Sequence, residues 1–192
     1  MTFQLPEALS ALERTPVVVH RLVDGLPRGW LTTRPTPHDW NAHEVIGHLL
    51  YTEEWVWAKR AHLILQGQGR PFPMSVAGDP SARYPGVSTD DLVRRFGDQR
   101  SRSVEGLERL ELTPVTLELE GLHPALGRVS LRQLLAAWVV HDHNHLRQLH
   151  EALAAHYVNE VGPWRRMLGV LDRVSAAVDH APGTKGGPTA AE

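Results

Sequence analysis

The segment 130–157 constrains the fold more than any other part of this sequence, because it has the strongest helical periodicity. A stripe of residues that begins as apolar recurs there at steps of three and four, which is the spacing that lines one face of an α-helix. This stripe consists of Leu131, Leu134, Leu135, Trp138, His141, His145, Gln148, Leu149 and Ala152. A helix capped by Ser130 is therefore predicted over 130–157, with an apolar face that turns polar halfway along.

Two histidines on this stripe have the spacing of a metal-chelating pair. Residues four apart on a helix lie about 40° apart around its axis, with Cβ atoms roughly 5–6 Å apart, so the rings of His141 and His145 can point at one atom. His143 lies about 200° round the axis from His141, and His150 also falls off the direction of the pair. His143 and His150 are therefore assigned to other environments.

A third ligand is expected from a neighbouring helix, because zinc or nickel is rarely held by two imidazoles alone. His48 is the best candidate, since it stands in a stripe formed by Val45, His48, Leu49, Thr52 and Val56. His43 and His62 are less well placed. A metal ion would satisfy one nitrogen of each buried ring and leave the other for an acceptor. From the spacing alone, a metal site and ordinary hydrogen-bonded histidines remain alternatives.

The remaining chain is also mainly helical in pattern. Helices are predicted over 6–24, 41–66, 88–110 and 163–178, in addition to 130–157. The helix over 41–66 begins with a capping box, in which Asn41 caps and Glu44 stands three residues later. Breakers in between predict a loop over 27–39 and a surface connection over 67–87, while the alternation VTLELE within 113–129 allows a minor hairpin.

These elements predict an all-α fold, a four-helix bundle with a short additional helix at 163–178 packed on its end. A chain of 192 residues fits one domain, which we place at 1–178. The tail over 179–192 is rich in Gly, Pro, Thr and Ala and is expected to be disordered.

Composition excludes several classes of function. The sequence has no cysteine, so disulfides, thiolate zinc sites and a cysteine nucleophile are all excluded. The formal net charge is −2 and the basic residues are scattered, so nucleic acid is not an expected partner. The sequence contains neither a signal-like N-terminus nor a long apolar stretch, and we expect a cytoplasmic protein that does not cross a membrane.

Three segments carry a resemblance to a known family. The runs WNAHEVIGHLLYTEEW and VVHDHNHLRQLHEAL, followed by VGPW, resemble the DinB-like superfamily of bacterial metal-binding helical bundles. The thiol-dependent transferases grouped with that superfamily, such as the bacillithiol and mycothiol transferases, are similar as well. The resemblance covers about residues 5–178, and its motif positions are Trp40, His48, Leu49, Glu53, His141, His145 and Gln148. Many relatives carry His-Arg-Gly-Gln where this chain has His145-Leu146-Arg147-Gln148.

The resemblance implies one divalent metal ion held by His48, His141 and His145. Zinc or nickel is expected first, with iron or manganese as further choices. Three protein ligands leave a coordination position open, which favours catalysis over a purely structural site. The implied activity is an S-transferase, in which the metal activates a low-molecular-weight thiol for transfer to an electrophilic small molecule. Members of the family often pair through bundle helices, so a homodimer is also expected.

Two other functions remain open. The same ion could serve a hydrolase by activating water, with Glu53, Glu54 or Asp142 as a base, although no carboxylate is placed well enough to be assigned as catalytic. The third alternative is a stress-related metal-binding or partner-binding protein without turnover. Five tryptophans could line a ligand pocket in that protein, although aromatic residues on bundle helices are more often core or dimer contacts; they are Trp40, Trp55, Trp57, Trp138 and Trp164.

Overall fold

The computed structural model describes residues 2–67, 71–73 and 83–174. Its elements in chain order are α1 (Leu5–Val23), α2 (Arg28–Thr32), α3 (Ala42–Thr52), a π-helical turn (Glu53–Trp57), α4 (Ala58–Leu65), α5 (Thr89–Glu108), α6 (Pro114–Leu117), β1 (Glu120–His123), β2 (Gly127–Ser130) and α7 (Leu131–Ala154). Three 3-10 turns follow, at Ala155–Tyr157, Gly162–Met167 and Gly169–Leu171.

Four long helical segments form the bundle, which confirms the predicted fold class. Helices α5 and α7 each pack against both α1 and α3. The segment from α3 through the π turn to α4 is continuous and replaces the single straight helix predicted over 41–66. None of the described helices has the length and hydropathy of a membrane span.

Local capping explains where the bundle helices begin. Asn41 and Glu44 form the predicted capping box, with each backbone N–H donating to the other side chain at 2.9 Å. Ser88 and Ser130 accept from the backbone N–H groups of the residues three positions later, which satisfies donors that a helix start leaves open. The predicted starts of these three helices are therefore confirmed.

The fifth helix predicted over 163–178 is wrong in its first half. Residues 162–167 and 169–171 form 3-10 turns instead, and helical structure begins only at residue 172. Leu168 breaks the segment with φ −112° and ψ 81°. Trp164 and Met167 remain largely exposed and no residue of 162–170 is buried, so this part has no apolar face with which to stabilise a regular helix; Leu171 and Val174 beyond it are buried. The end of the predicted helix and the predicted tail over 179–192 lie outside the described residues.

The connections differ from the prediction in detail. The loop predicted over 27–39 contains the short helix α2, and the VTLELE run begins in α6 because Thr113 caps a turn with Pro114 in its first position. The expected hairpin is present as β1 and β2. Within the predicted surface connection, Phe72 is buried and its N–H donates to the Leu122 carbonyl at 2.8 Å, while residues 68–70 and 74–82 lie outside the described part.

The described residues form two large apolar clusters in the bundle and a third small one, of Ala155, Leu171 and Val174, beyond the end of α7. One large cluster includes Ile46 and Leu149, and the other includes Ile64 and Leu135. The midpoint of α7, where its stripe turns polar, lies between the parts of α7 that enter the two clusters. His141 and His145 at this midpoint are therefore enclosed by the bundle and belong to neither cluster, whereas His143 is exposed.

Candidate metal centre

The structure brings His48 of α3 together with His141 and His145 of α7. The Nε2 atoms of His48 and His141 are 3.3 Å apart, and each of the three residues offers a ring nitrogen within 4.8 Å of the others. The ring centroid of His145 lies 4.4 Å from that of His48 and 4.2 Å from that of His141. The three side chains thus converge on one point between two helices.

The spacing of one pair of these nitrogens fits a metal ion. Nitrogen ligands lie about 2.0–2.1 Å from zinc, so two of them at a tetrahedral angle are about 3.3–3.4 Å apart. The distance of 3.3 Å between the Nε2 atoms of His48 and His141 agrees with this geometry. It also permits one N–H···N hydrogen bond between the two neutral rings, which is the alternative without a metal.

Two of the rings are held in the neutral form that metal binding requires. Burial lowers the pKa of His48 to about 3, with further lowering from His145, His141 and Arg83. Burial likewise lowers the pKa of His145 to about 4, and the neighbouring His141 contributes in the same direction. At neutral pH these imidazoles therefore offer lone pairs without competition from protons.

Other side chains orient two of the rings. The Nδ1 atom of His145 is 2.6 Å from Oε1 of Gln148, so Nδ1–H donates there and Nε2 remains available as a ligand. Trp40 lies against His48, with ring centroids 4.8 Å apart, and Trp57 meets the ring of His141 edge-on at 5.0 Å. Aromatic surfaces therefore enclose the cluster.

The five tryptophans do not line one pocket, which corrects that expectation. Trp40 and Trp57 contact the histidine cluster, whereas Trp138 is fully buried and stacks on Trp57. Trp55 is 58% exposed and Trp164 is 69% exposed. Only two members of the set can therefore shape the surroundings of the site.

The other histidines considered as ligands lie elsewhere, as predicted. His43 makes a hydrogen bond with Thr89 through Nδ1 at 2.9 Å. His62 pairs with Gln66 on the surface, and both His143 and His150 are exposed.

The sequence profile of the DinB superfamily matches residues 11–149, which include all three histidines. The chain belongs to the DinB superfamily. The resemblance inferred from the motif residues is therefore confirmed at the level of the family.

A solved structure supports the DinB fold independently. The chain is similar to YfiT from Bacillus subtilis, with 18% sequence identity, a TM-score of 0.66, and coverage of 86% of this chain and 90% of YfiT. That protein is described as a probable metal-dependent hydrolase with an unusual four-helix bundle topology. A search among curated proteins found no match.

The carboxylates considered as bases in this DinB chain have other partners. Glu53 and Asp142 both bind Arg100 in the core, and Glu54 accepts a hydrogen bond from the Tyr84 hydroxyl at 2.8 Å. Burial raises the pKa of Tyr84, and the bond to Glu54 raises it further. The structure therefore assigns none of the three carboxylates to proton transfer at the histidines.

Arg100 is the buried residue that the sequence reasoning missed. Its Nε donates to Glu53 at 2.9 Å, Nη1 donates to Asp142 at 2.6 Å and to the Leu12 carbonyl at 2.6 Å, and Nη2 donates to Asp142 at 3.1 Å. Nη2 also lies 2.9 Å from Glu53 Oε2 as an ion pair, so the guanidinium makes four hydrogen bonds and contacts both carboxylates. Burial alone would raise the pKa of Asp142, but the charge and hydrogen bonds of Arg100 help to hold it below its usual value.

A signal for Arg100 was present in the sequence. It continues the apolar stripe of α5 at a helical step after Phe96 and before Val104 and Leu107, all of which are buried. A charged residue on such a stripe must find buried partners of opposite charge. The sequence does not say which of the 22 acidic residues those partners are.

Proposed function

We propose that this chain binds one divalent metal ion through His48, His141 and His145 and catalyses a metal-dependent hydrolysis. The observation that carries the proposal is the convergence of the three ring nitrogens, with the Nε2 atoms of His48 and His141 at 3.3 Å. Structural zinc sites are usually closed by four protein ligands, whereas catalytic sites keep a position open. Among the described residues, the cluster contains three potential ligands, which is the catalytic number.

Each part of the chain has a defined task in this proposal. When bound, a divalent ion would supply Lewis-acid chemistry, since such ions lower the pKa of water towards 7. The three imidazoles would hold the ion, and Gln148 fixes the orientation of His145. Trp40 and Trp57 cover two of the rings and exclude water from those sides. Nitrogen donors favour zinc or nickel, and iron or manganese are also compatible with this set.

Hydrolysis is placed first for two reasons. The solved relative YfiT carries a description as a probable metal-dependent hydrolase, and its fold covers most of this chain. Water also requires no further binding site, whereas thiol transfer requires sites for both a thiol and an electrophile. The S-transferase remains the second candidate, supported by the motif resemblance and by the absence of any cysteine that could act in place of a bound thiol.

A cation beside the site suggests which substrates to try. The guanidinium of Arg83 lies 3.6 Å from the ring centroid of Tyr51, one helical turn after His48, and its charge contributes to the low pKa of His48. A substrate with an anionic group would be attracted to this side of the cluster. Esters with and without a carboxylate are therefore the first pair to compare.

The proposal is tested by metal analysis and turnover on the same preparation. Protein purified without an affinity tag is analysed for metals, stripped with a chelator, and reloaded with zinc, nickel or manganese. We expect one equivalent of metal and metal-dependent ester hydrolysis in wild type and in His143→Ala, and loss of both in His141→Ala. The His143 variant is the matched control, because that residue lies on the same helix but is exposed.

Other outcomes separate the candidates. Turnover only when a small thiol and a halogenated aromatic or epoxide are both present would replace the hydrolase with the S-transferase. Bound metal without turnover of either kind would identify a non-catalytic metal-binding protein. Wild-type protein that binds none of the metals would refute the site itself.

A further inference from the structure

One ring nitrogen at the candidate metal centre has an incomplete environment. Nδ1 of His141 is buried, and among the described residues it has no hydrogen-bond partner. The nearest acidic group is Asp142, whose Oδ1 lies 3.9 Å from this nitrogen. The other nitrogen of the ring, Nε2, faces His48. His141 therefore has one nitrogen directed at the cluster and one directed at a carboxylate.

That carboxylate is held rigidly. Asp142 is 2% exposed, and both of its oxygens accept from the guanidinium of Arg100, at 2.6 and 3.1 Å. Arg100 is in turn fixed by Glu53 and by the Leu12 carbonyl. Because these hydrogen bonds to Arg100 fix the rotamer of Asp142, one of its oxygens stays on the His141 side in any orientation of the His141 ring.

We infer that Asp142 is a positioning residue for His141: it keeps the ring in the tautomer with Nδ1 protonated and thereby presents the Nε2 lone pair to the metal. The inference rests on the proposed metal site. Ligand histidines usually direct their second N–H at a carboxylate, carbonyl or similar acceptor, which fixes the tautomer and strengthens the ligand. Gln148 has this relation to His145, and Asp142, with Oδ1 3.9 Å from Nδ1, is the carboxylate placed to take the same role for His141 when the ring shifts towards it.

The charge around Arg100 supports the same role. One guanidinium faces two carboxylates, so the group formed by Glu53, Arg100 and Asp142 has a formal charge of −1 when both are ionised; burial raises the pKa of Glu53, and Arg100 opposes that rise. This excess negative charge lies directly behind a ligand of the proposed dication and favours its binding. Removal of either carboxylate would cancel that charge, but only Asp142 faces His141.

Glu53→Gln is therefore a matched control for Asp142→Asn. Both changes are nearly isosteric, both replace one buried carboxylate on Arg100 with an amide, and both remove one negative charge. Zinc affinity is measured by competition with a chromophoric chelator, on proteins whose circular dichroism shows the wild-type helix content. We expect Asp142→Asn to weaken zinc binding about 10- to 100-fold, and Glu53→Gln to weaken it clearly less. Equal effects of the two variants would overturn the inference.

A measurement on wild-type protein covers the case in which Asp142→Asn does not fold. In zinc-loaded protein labelled with ¹⁵N, long-range proton–nitrogen spectra distinguish the two nitrogens of each imidazole. The inference requires His141 with a proton on Nδ1 and zinc on Nε2, and the reverse assignment would overturn it. Wild-type protein that binds no zinc would refute the proposed metal site together with this inference, whereas zinc binding with the wrong tautomer refutes the inference alone.

Discussion

Acid should destabilise the metal-free protein through two of the candidate ligands. The ordinary pKa of histidine is 6.5, but burial lowers that of His48 to about 3 and that of His145 to about 4 in the native state. At a pH between these native values and 6.5, the imidazoles of the unfolded chain bind protons that the native protein does not bind. The free energy of unfolding must therefore fall as the pH falls below about 6.5.

The size of this effect follows from the pKa values. At pH 5.5, one unit below the ordinary pKa, protonation of one unfolded imidazole favours the unfolded state by about 1.4 kcal/mol. Neither native ring has begun to titrate at that pH, so His48 and His145 together remove about 3 kcal/mol between pH 8 and 5.5. A domain of this kind has about 5–15 kcal/mol of total stability, so the loss is a large fraction.

Urea unfolding followed by circular dichroism, in the presence of a chelator, measures this loss at pH 8 and at pH 5.5. The variant His48→Ala should show about half of the wild-type pH effect, since it removes one of the two buried rings. His143→Ala should keep the full effect, because that side chain is exposed. A wild-type loss below about 1 kcal/mol, or the same loss in wild type and His48→Ala, would refute the reasoning.

Four further predictions follow from single features. Alanine at any of the three candidate ligands should lower bound zinc sharply in elemental analysis, while His143→Ala should leave it unchanged. Arg100→Met leaves two buried carboxylates uncompensated and should cost about 3–5 kcal/mol in urea unfolding, against less than about 0.5 kcal/mol for the exposed Arg102→Met. Gly121→Ala would place a Cβ 2.5 Å from a buried aromatic ring and should lower the Tm, whereas Gly106→Ala meets nothing within 4 Å inside a helix and should raise it. Light scattering at working concentration should give the mass of a homodimer, and a monomer would contradict that expectation.

The fold was predictable where local chemistry determines it. The N-cap residues Asn41, Ser88 and Ser130 can be recognised from four residues of sequence, and three helices of the structure begin directly after them. The failure at 163–178 has the opposite cause. Pro163 is a good helix start, but residues 164–170 bury no apolar side chain, and a start signal without tertiary packing does not maintain a helix.

The candidate ligands were predictable because each is a polar residue in an otherwise apolar helical stripe. For His141 and His145 the periodicity of one helix was sufficient. His48 required the further assumption that α3 faces α7, and the 3.3 Å between Nε2 of His48 and Nε2 of His141 fulfils that assumption. No base could be assigned from the sequence, because periodicity identifies the face on which Glu53 and Asp142 lie but not that Arg100 is their partner.

Arg100, the buried partner of Glu53 and Asp142, connects the fold to the candidate metal centre. Through its side chain Arg100 joins α5 to the Leu12 carbonyl on α1, to Glu53 on the π turn after α3, and to Asp142 on α7. A slip of α7 by one helical turn, about 5.4 Å along its axis, would separate Asp142 from Arg100 and also His141 from His48. The buried ion pairs are costly to desolvate, and with the four hydrogen bonds of Arg100 in place they favour one alignment of the four helices over its neighbours. Because His141 and Asp142 are adjacent, the alignment that satisfies Arg100 is the one that brings the three ring nitrogens together.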